Sequence, residues 1–226
     1  MHPIFRSRSP LRPALAVAAL LAGAAPVASP AAGLSLAQWG ATAGLGSWTQ
    51  SFDYDGEQLF DPADRISGFA GGIWFDLGRS TFFPRVEALY QQRGTRDQSP
   101  RADEQGQIVG LATQEVRAHY LSIPISVLAA KRGGSIVPYV GAGVGAEFLL
   151  QTQHDSVGVQ DQLNRTALGL HLQAGFERGK AGVMARYFRD LTNPYPGVEN
   201  GTLTAVRNEG WILLLTMKLG PVSSTP

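Results

Sequence analysis

The sequence predicts an all-β protein: an antiparallel up-and-down transmembrane β-barrel of about eight strands, with short periplasmic turns and four long outer loops. Three observations support this fold class. Several segments alternate with period two between apolar residues and small or polar ones, as strands do when their faces meet different surroundings. The connections between these segments are alternately short and long. The mean hydropathy of −0.04 is too low for a helical membrane protein but suits alternating strands.

The clearest alternation lies in residues 136–150, IVPYVGAGVGAEFLL. Val140, Val144 and Phe148 belong to an aliphatic face that continues at every second residue. The opposite face is made of small residues and the carboxylate of Glu147. A soluble core does not favour that second face. A narrow membrane barrel, with lipid outside and a crowded polar interior, does.

The same alternation predicts seven further strands. Pro124 lies inside the fourth and, because proline has no backbone N–H, is expected to weaken the ladder or to mark a bulge. The eight predicted strands are 39–48, 66–77, 81–93, 115–129, 136–150, 166–177, 182–189 and 209–219.

The connections differ in length and character. Those at 78–80, 130–134 and 178–180 are short and basic, whereas those at 50–65, 94–114, 151–165 and 191–208 are long and polar. This asymmetry is typical of outer-membrane barrels. An even number of strands also returns both chain ends to one side, as expected for a chain exported through the periplasm.

The N-terminal segment predicts a signal peptide over residues 1–32. Arg6, Arg8 and Arg12 precede an apolar run at 14–25 that is too short to span a membrane as a helix. Cleavage is expected somewhere in 28–33, and an uncleaved anchor is the alternative. The barrel is then expected over 33–220, followed by a short flexible tail at 221–226.

Composition excludes several classes of function. Without the three arginines of the predicted leader, 16 of the 19 basic residues remain against 18 acidic ones, so a nucleic-acid partner has no electrostatic support. Cysteine is absent, which excludes disulfides, thiolate metal sites and cysteine nucleophiles.

A soluble lipocalin-like barrel, which binds a ligand against an inward aliphatic face, is the alternative fold. Charges and glycines recur on the face opposite the aliphatic one, which favours the membrane barrel. Aromatic residues near strand ends are expected to form its interfacial girdles: Trp48, Trp74, Phe82, Phe83, Tyr90, Phe148, Tyr187 and Trp211.

Residues 120–149, YLSIPISVLAAKRGGSIVPYVGAGVGAEFL, resemble the PorT-like outer-membrane β-barrel family, which commonly shows a YL-x-IP strand, a short basic turn and PY-x-G-x-G-x-G. RVEALYQQRG at 85–94 and ARYFRDLTN at 185–193 resemble two other strands of that family, with Arg189-Asp190 where glycine is more usual. The resemblance implies a Gram-negative-type outer membrane, and its founding type implies a link with protein secretion. The last strand departs from outer-membrane barrels that end on an aromatic residue, since it ends at Leu219.

Charges on the predicted inward face are expected to form a buried network. An eight-strand interior is just wide enough for side chains, and buried charges must pair. We expect Arg85 to pair with Glu87, and Glu147 with Arg186. A path for cations or small solutes is the alternative, which the strand number disfavours because porin channels need about 16 strands. The predicted network comprises Arg85, Glu87, Glu147, His171, Glu177, Arg186 and Lys218.

Two motifs invite a chemical interpretation. Gly141-x-Gly143-x-Gly145 lies within a strand rather than between a strand and a helix, which argues against nucleotide binding; these glycines are expected to relieve crowding. The histidines His119, His154 and His171 raise the alternative of an outer-membrane lipid hydrolase, but the sequence places no serine beside them in a recognisable arrangement. We therefore predict no catalytic residue and no cofactor.

The first long loop contains four carboxylates with partial calcium-loop spacing. Asp53, Asp55, Glu57 and Asp64 fall at positions 1, 3, 5 and 12, but Gly56 falls at position 4 rather than 6. A solvated acidic loop is the prediction, and weak calcium binding is the alternative.

The sequence thus predicts a monomeric, non-enzymatic barrel with a plugged lumen and a structural or loop-mediated binding role. Its expected partners are outer-membrane lipid, lipopolysaccharide and another envelope protein that contacts the long loops. An accessory role in protein secretion or envelope assembly is the alternative.

Overall fold

The computed structural model describes residues 36–54, 64–102, 107–154, 166–192 and 203–221. These residues form a closed antiparallel barrel in which each strand pairs with its neighbours in sequence and β1 pairs with β8. The predicted fold class is confirmed. The strands are β1 (Leu36–Tyr54), β2 (Ile66–Leu77), β3 (Phe82–Ala102), β4 (Ile108–Ala130), β5 (Val137–His154), β6 (Thr166–Arg178), β7 (Ala181–Asp190) and β8 (Leu203–Pro221).

The predicted leader over 1–32, its cleavage region and residues 222–226 of the predicted tail lie outside the described residues. Within the described ranges, no helix is long and apolar enough to cross a membrane.

The two ends of the barrel differ. At one end, here called the turn end, the short connections 78–81, 131–136 and 179–180 lie beside the start of β1 and the last residues of β8. The register places the chain ends there, since Leu36 pairs with Leu77 and Gln38 pairs with Pro221. The opposite end, at which β1, β3, β5 and β7 finish, is here called the loop end.

The predicted long loop at 94–114 is wrong. Most of these residues extend β3 and β4, with Gly94 paired to Arg117 and Arg101 paired to Gly110. Only residues 103–107 separate the two strands. Strand pairing uses backbone groups that every non-proline residue carries, so a polar hairpin can form without an apolar face. The alternation of apolar residues detects only the part of a strand that lies against an apolar environment.

The outer surface of the barrel carries the aliphatic faces of the strands. Leu45 is 68% exposed and Leu215 is 66% exposed, whereas inward Leu214 and Leu128 are fully buried. This orientation is the one predicted for a membrane barrel and the reverse of the lipocalin-like alternative. We call the exposed apolar strand residues the apolar belt: Leu45, Phe69, Ile73, Phe82, Tyr90, Leu121, Val127, Val140, Phe148, Leu150, Leu170, Leu172, Phe176, Trp211, Leu213, Leu215, Met217 and Leu219.

Three of the predicted girdle aromatics are instead inside the barrel. Trp48, Trp74 and Phe83 are buried, although Phe82, Tyr90, Phe148 and Trp211 do face outward. Phe83 directly follows outward Phe82, so alternation turns it inward. The two tryptophans lie against buried arginines, as described below, which gives their rings a specific place in the lumen.

Pro124 interrupts one ladder, as its missing N–H predicts. Pairing between β3 and β4 stops after Val86 and Ile125 and resumes at Leu89 and Ser122, with the register unchanged. The bulge that the sequence offered as the alternative is not at Pro124, because the irregularity between β4 and β5 falls at His119 and Tyr120.

The glycines of β5 make room for contacts across it. Gly143 lies between Ser126 on β4 and His171 on β6 in the strand register, and those two side chains share a hydrogen bond of 2.8 Å. A Cβ at Gly143 would lie 2.6 Å from the His171 Nε2 atom and 2.7 Å from the Ser126 Cα atom. The predicted role of the glycines in relieving crowding is confirmed at this position.

Replacing Gly143 with alanine is therefore expected to lower the free energy of unfolding by about 1–3 kcal/mol through overpacking. Gly145→Ala is the matched control on the same face of β5, because its Cβ would lie no closer than 3.0 Å to any atom, with Glu147 Oε1 at 3.0 Å and Pro124 Cα at 3.5 Å. Urea unfolding of both variants in the same detergent measures the difference. Equal losses would contradict this role for Gly143.

Candidate functional site

Three fully buried arginines organise the lumen. Arg85 and Arg93 project from β3 and Arg186 projects from β7, and each is only 1% exposed. Every one of them contacts a carboxylate from another strand. Because isolated charges in a low-dielectric interior are costly, these contacts decide whether the interior is stable.

Near the turn end, Arg85 joins β2, β3 and β6. Its Nε atom donates to Asp76 Oδ1 at 2.6 Å, and its Nη2 atom donates to Asp76 Oδ2 at 3.1 Å and to Glu177 Oε1 at 3.3 Å. The guanidinium also stacks 4.4 Å from the ring of Trp74. The second oxygen of Glu177 lies 2.7 Å from the ammonium of Lys218, so this carboxylate serves two cations.

In the middle of the barrel, Arg186 joins β7 to β3 and β6. Its Nη2 atom donates to Glu87 Oε1, and its Nε atom donates to Gln173 Oε1 at 3.0 Å. Glu87 lies across the lumen from Arg186, 99 residues away in sequence. The sulfur of Met184 accepts a weak contact from Arg186 at 3.8 Å.

Towards the loop end, Arg93 joins β3, β5 and β7. Its Nη2 atom donates to Glu147 Oε2 at 2.6 Å, and its Nη1 atom lies 3.8 Å from Asp190 Oδ1. The Ser122 hydroxyl donates to the other oxygen of Glu147, and the Asn208 amide donates to Asp190 at 2.7 Å. Three aromatic rings enclose the guanidinium of Arg93, those of Trp48, Tyr120 and Phe188.

The structure corrects the predicted pairing of the lumen charges. Arg85 pairs with Asp76 and Glu177 rather than with Glu87, and Glu147 pairs with Arg93 rather than with Arg186. Glu87 is the partner of Arg186. Arg85 meets Asp76 because the two residues are directly paired on adjacent strands, whereas Arg93 and Arg186 reach carboxylates on strands that do not adjoin their own.

All seven predicted network residues point inward, but the sequence interpretation missed Asp76, Arg93 and Asp190. Asp76 lies opposite the aliphatic face of β2, so its position was detectable from the alternation alone. Arg93 and Asp190 lie at the loop-end limits of the predicted third and seventh strands, where the apolar pattern has already stopped. With them, the lumen holds four cations and five carboxylates among the described residues.

The structure brings one serine and one histidine together that the sequence did not pair. His171 Nε2 and the Ser126 hydroxyl lie 2.8 Å apart, and both residues are 1% exposed. A hydrolytic pair needs access to substrate and a third group that orients the histidine. The burial of this pair, with Arg186 rather than a carboxylate as the charged neighbour of His171, suits a packing role.

The other two histidines are elsewhere. His119 faces the same side as the apolar belt and contacts the hydroxyl of Tyr90. His154 is the last residue of β5, and its side chain lies outside the described part.

The calcium-loop candidates are not brought together within the described part of the chain. Asp55 and Glu57 lie outside it, as does the side chain of Asp53. Asp64 forms an isolated bridge with Arg96. Among described residues, no group of three or more His, Asp or Glu side chains could hold a metal ion.

At the loop end, the β3–β4 hairpin carries an exposed ion-pair cluster. Glu115 accepts hydrogen bonds from Arg96 and Arg117, and these lower the pKa of the Glu115 carboxyl below its usual value. Arg117 also donates to the Ser67 carbonyl at 3.3 Å, which ties the hairpin to β2.

No family model matches the chain, and no curated protein matches it. Solved structures similar to this chain at low identity include the following three crystal structures. Neisserial surface protein A is 16% identical with a TM-score of 0.46, covering 80% of this chain and 97% of that one. The outer membrane enzyme PagL is 14% identical with a TM-score of 0.44, covering 76% and 98%. Ail, the attachment invasion locus protein of Yersinia pestis, is 12% identical with a TM-score of 0.40, covering 82% and 100%. The barrel architecture of this chain is established by its own strand pairing.

Replacing Arg186 with methionine is expected to lower the free energy of unfolding by about 3–5 kcal/mol, because Glu87 then stays buried without its cation. The double variant Arg186→Met with Glu87→Leu should recover most of that loss, since neither charge remains. Urea unfolding in lipid vesicles measures both.

The control for this comparison is Arg96→Met, which breaks an exposed ion pair with Glu115 and should cost no more than about 1 kcal/mol. If Arg186→Met lowers the free energy of unfolding as little as Arg96→Met does, the Arg186–Glu87 pair does not stabilise the barrel.

Proposed function

We propose that this protein is an integral outer-membrane β-barrel with a plugged lumen, whose loop end carries a binding role. The observation that carries the proposal is the combination of an exposed apolar belt with an interior of paired charges. A water-soluble protein rarely exposes so continuous an apolar surface, whereas lipid is a suitable environment for it.

Hydrogen bonding of the backbone also supports a membrane location. In hydrocarbon, every backbone N–H and C=O must pair within the protein, and only helices and closed barrels achieve this. The β1–β8 pairing closes the sheet and removes its free edges. The predicted signal peptide adds an export route to an outer membrane.

Lumen filling supports a plugged barrel rather than a channel. The largest fully buried side chains include Trp48, Trp74, Arg85, Arg93 and Arg186, all of which point inward. Their guanidinium and indole groups occupy the axis that a solute would need. Paired charges in such a lumen stabilise the barrel instead of conducting ions.

The loop end supports the binding role. The β3–β4 hairpin continues beyond the apolar belt, paired from Gly94 with Arg117 to Ala102 with Ile108. Its base is fixed by the Glu115 ion pairs and by the bond from Arg117 to Ser67. A strand-paired hairpin outside the membrane is a suitable surface for lipopolysaccharide or an envelope protein, since binding specificity usually resides in such projecting segments. The PorT-like resemblance makes a secretion machinery the alternative partner.

The membrane location is tested by placing an arginine at two different heights on the outer surface of the barrel. Leu215→Arg, in the middle of the belt on β8, is expected to lower the free energy of unfolding in lipid vesicles by about 2–4 kcal/mol, because the charge meets hydrocarbon. Leu191→Arg, beyond the end of β7, should lower the free energy of unfolding by only about 0–1 kcal/mol. Recovery of the wild-type chain as a soluble periplasmic protein would refute the membrane location.

The plugged lumen predicts no sustained single-channel conductance in planar bilayers that contain the folded protein. Folding is checked independently by heat-modifiable gel migration. Steady ion currents from the folded form would show that the charge network leaves an open path.

A further inference from the structure

The turn end carries a concentration of positive charge that the membrane location does not explain. Arg79, Lys131, Arg132 and Lys180 lie in the three short connections, Arg178 ends β6, and all five are exposed. The connections themselves contain no aspartate or glutamate.

Four cations from separate parts of the chain line one cavity at this end. The cavity has a volume of about 240 Å³. Since a water molecule takes up roughly 30 Å³ in the liquid, a phosphate-sized group fits it with room for water. Its cationic lining comes from all three short connections and from β8: Arg79, Arg132, Lys180 and Lys218.

Contacts with neutral groups hold two of these side chains in place. Arg79 Nη2 donates to the Ala37 carbonyl at 3.2 Å, and Arg132 Nε donates to the Ser80 carbonyl at 3.3 Å. The guanidinium of Arg132 also lies 4.8 Å above the ring of Phe83. Because a guanidinium has five N–H donors, each arginine keeps further donors for a ligand.

The protein compensates the charges of this cavity only in part. Lys218 pairs with Glu177, which also serves Arg85. In the described part of the chain, no carboxylate lies within ion-pair distance of Arg79, Arg132 or Lys180. The loop end differs, since Arg96 and Arg117 share Glu115 there. Cations brought together without counter-charges repel each other, so an anion bound between them is stabilised.

The geometry points to an anion site at the turn end that binds a phosphate group, carried by an acidic phospholipid of the adjacent leaflet or by a soluble phosphate compound. Arginine forks match the oxygens of phosphate, and lysines add point charges. Leu219, an apolar-belt residue, also lines the cavity, so a lipid could place its headgroup inside and a chain along the belt. The inference goes beyond the proposed function and depends on the turn-end side chains alone.

Calorimetry on the folded protein in a nonionic detergent tests the site, with inorganic pyrophosphate and short-chain phosphatidylglycerol as separate probes. Arg79→Gln combined with Lys180→Gln is expected to weaken binding of the recognised probe at least tenfold. The matched control, Arg65→Gln with Arg189→Gln, removes the same charge from loop-end positions outside the β3–β4 hairpin and should change binding less than twofold. Lys180→Gln alone, in an exposed turn, should weaken binding in part without affecting folding.

The two probes distinguish the sources of the phosphate. Binding of phosphatidylglycerol but not pyrophosphate assigns the site to a lipid headgroup, and the reverse assigns it to a soluble phosphate. Binding of both identifies phosphate itself as the recognised group. Binding of neither, or an equal loss in the turn-end and loop-end variants, overturns the proposal. That failure would leave the membrane location intact, because it rests on the apolar belt.

Discussion

Pairing of buried charges across the lumen is the constraint on which the interior depends. Arg85, Arg93 and Arg186 each reach a carboxylate on another strand, and the Arg186–Glu87 pair joins residues 99 apart in sequence. Such pairs cost desolvation, which the ion pairs and the neighbouring amides, hydroxyls and rings offset. The offset is incomplete, because the Nη1 atom of each arginine is buried without a hydrogen-bond partner among the described residues. Gly143 provides the space for the neighbouring contact between Ser126 and His171.

The same alternation of residues also determines which side chains cover the outer surface of the barrel. Each strand places an aliphatic residue outward wherever its neighbour in sequence points into the lumen, so one pattern produces both the apolar belt and the charge network. The three short connections close the barrel at one end and concentrate cations there, while the extended β3–β4 hairpin makes the other end polar. The barrel therefore presents a different surface on its wall and at each end.

The sequence predicted the strand number, the order of the strands and the face of each central residue, because period-two alternation reports orientation directly. It could not predict which charges pair. Glu87 and Arg186 point to the same space, but strand tilt and side-chain reach decide that they meet, and neither is visible in a linear pattern. It also underestimated β1, β3, β4 and β8, because their outer parts are held by backbone pairing without an apolar face. Trp48 and Trp74 are predicted at the interface because indoles are common there, yet the alternation along β1 and β2 already places both side chains on the inward face.

The gap in the ladder at Pro124 has a mechanical consequence. Between Val86 and Leu89, β3 has no residues paired with β4, so strand pairing is interrupted at that height of the barrel wall. Glu87 lies within this interruption, and its side chain contacts Arg186 of β7 inside the lumen. At this height β3 is therefore held by its pairing with β2 and by a side-chain contact with the opposite strand β7, rather than by its neighbour β4.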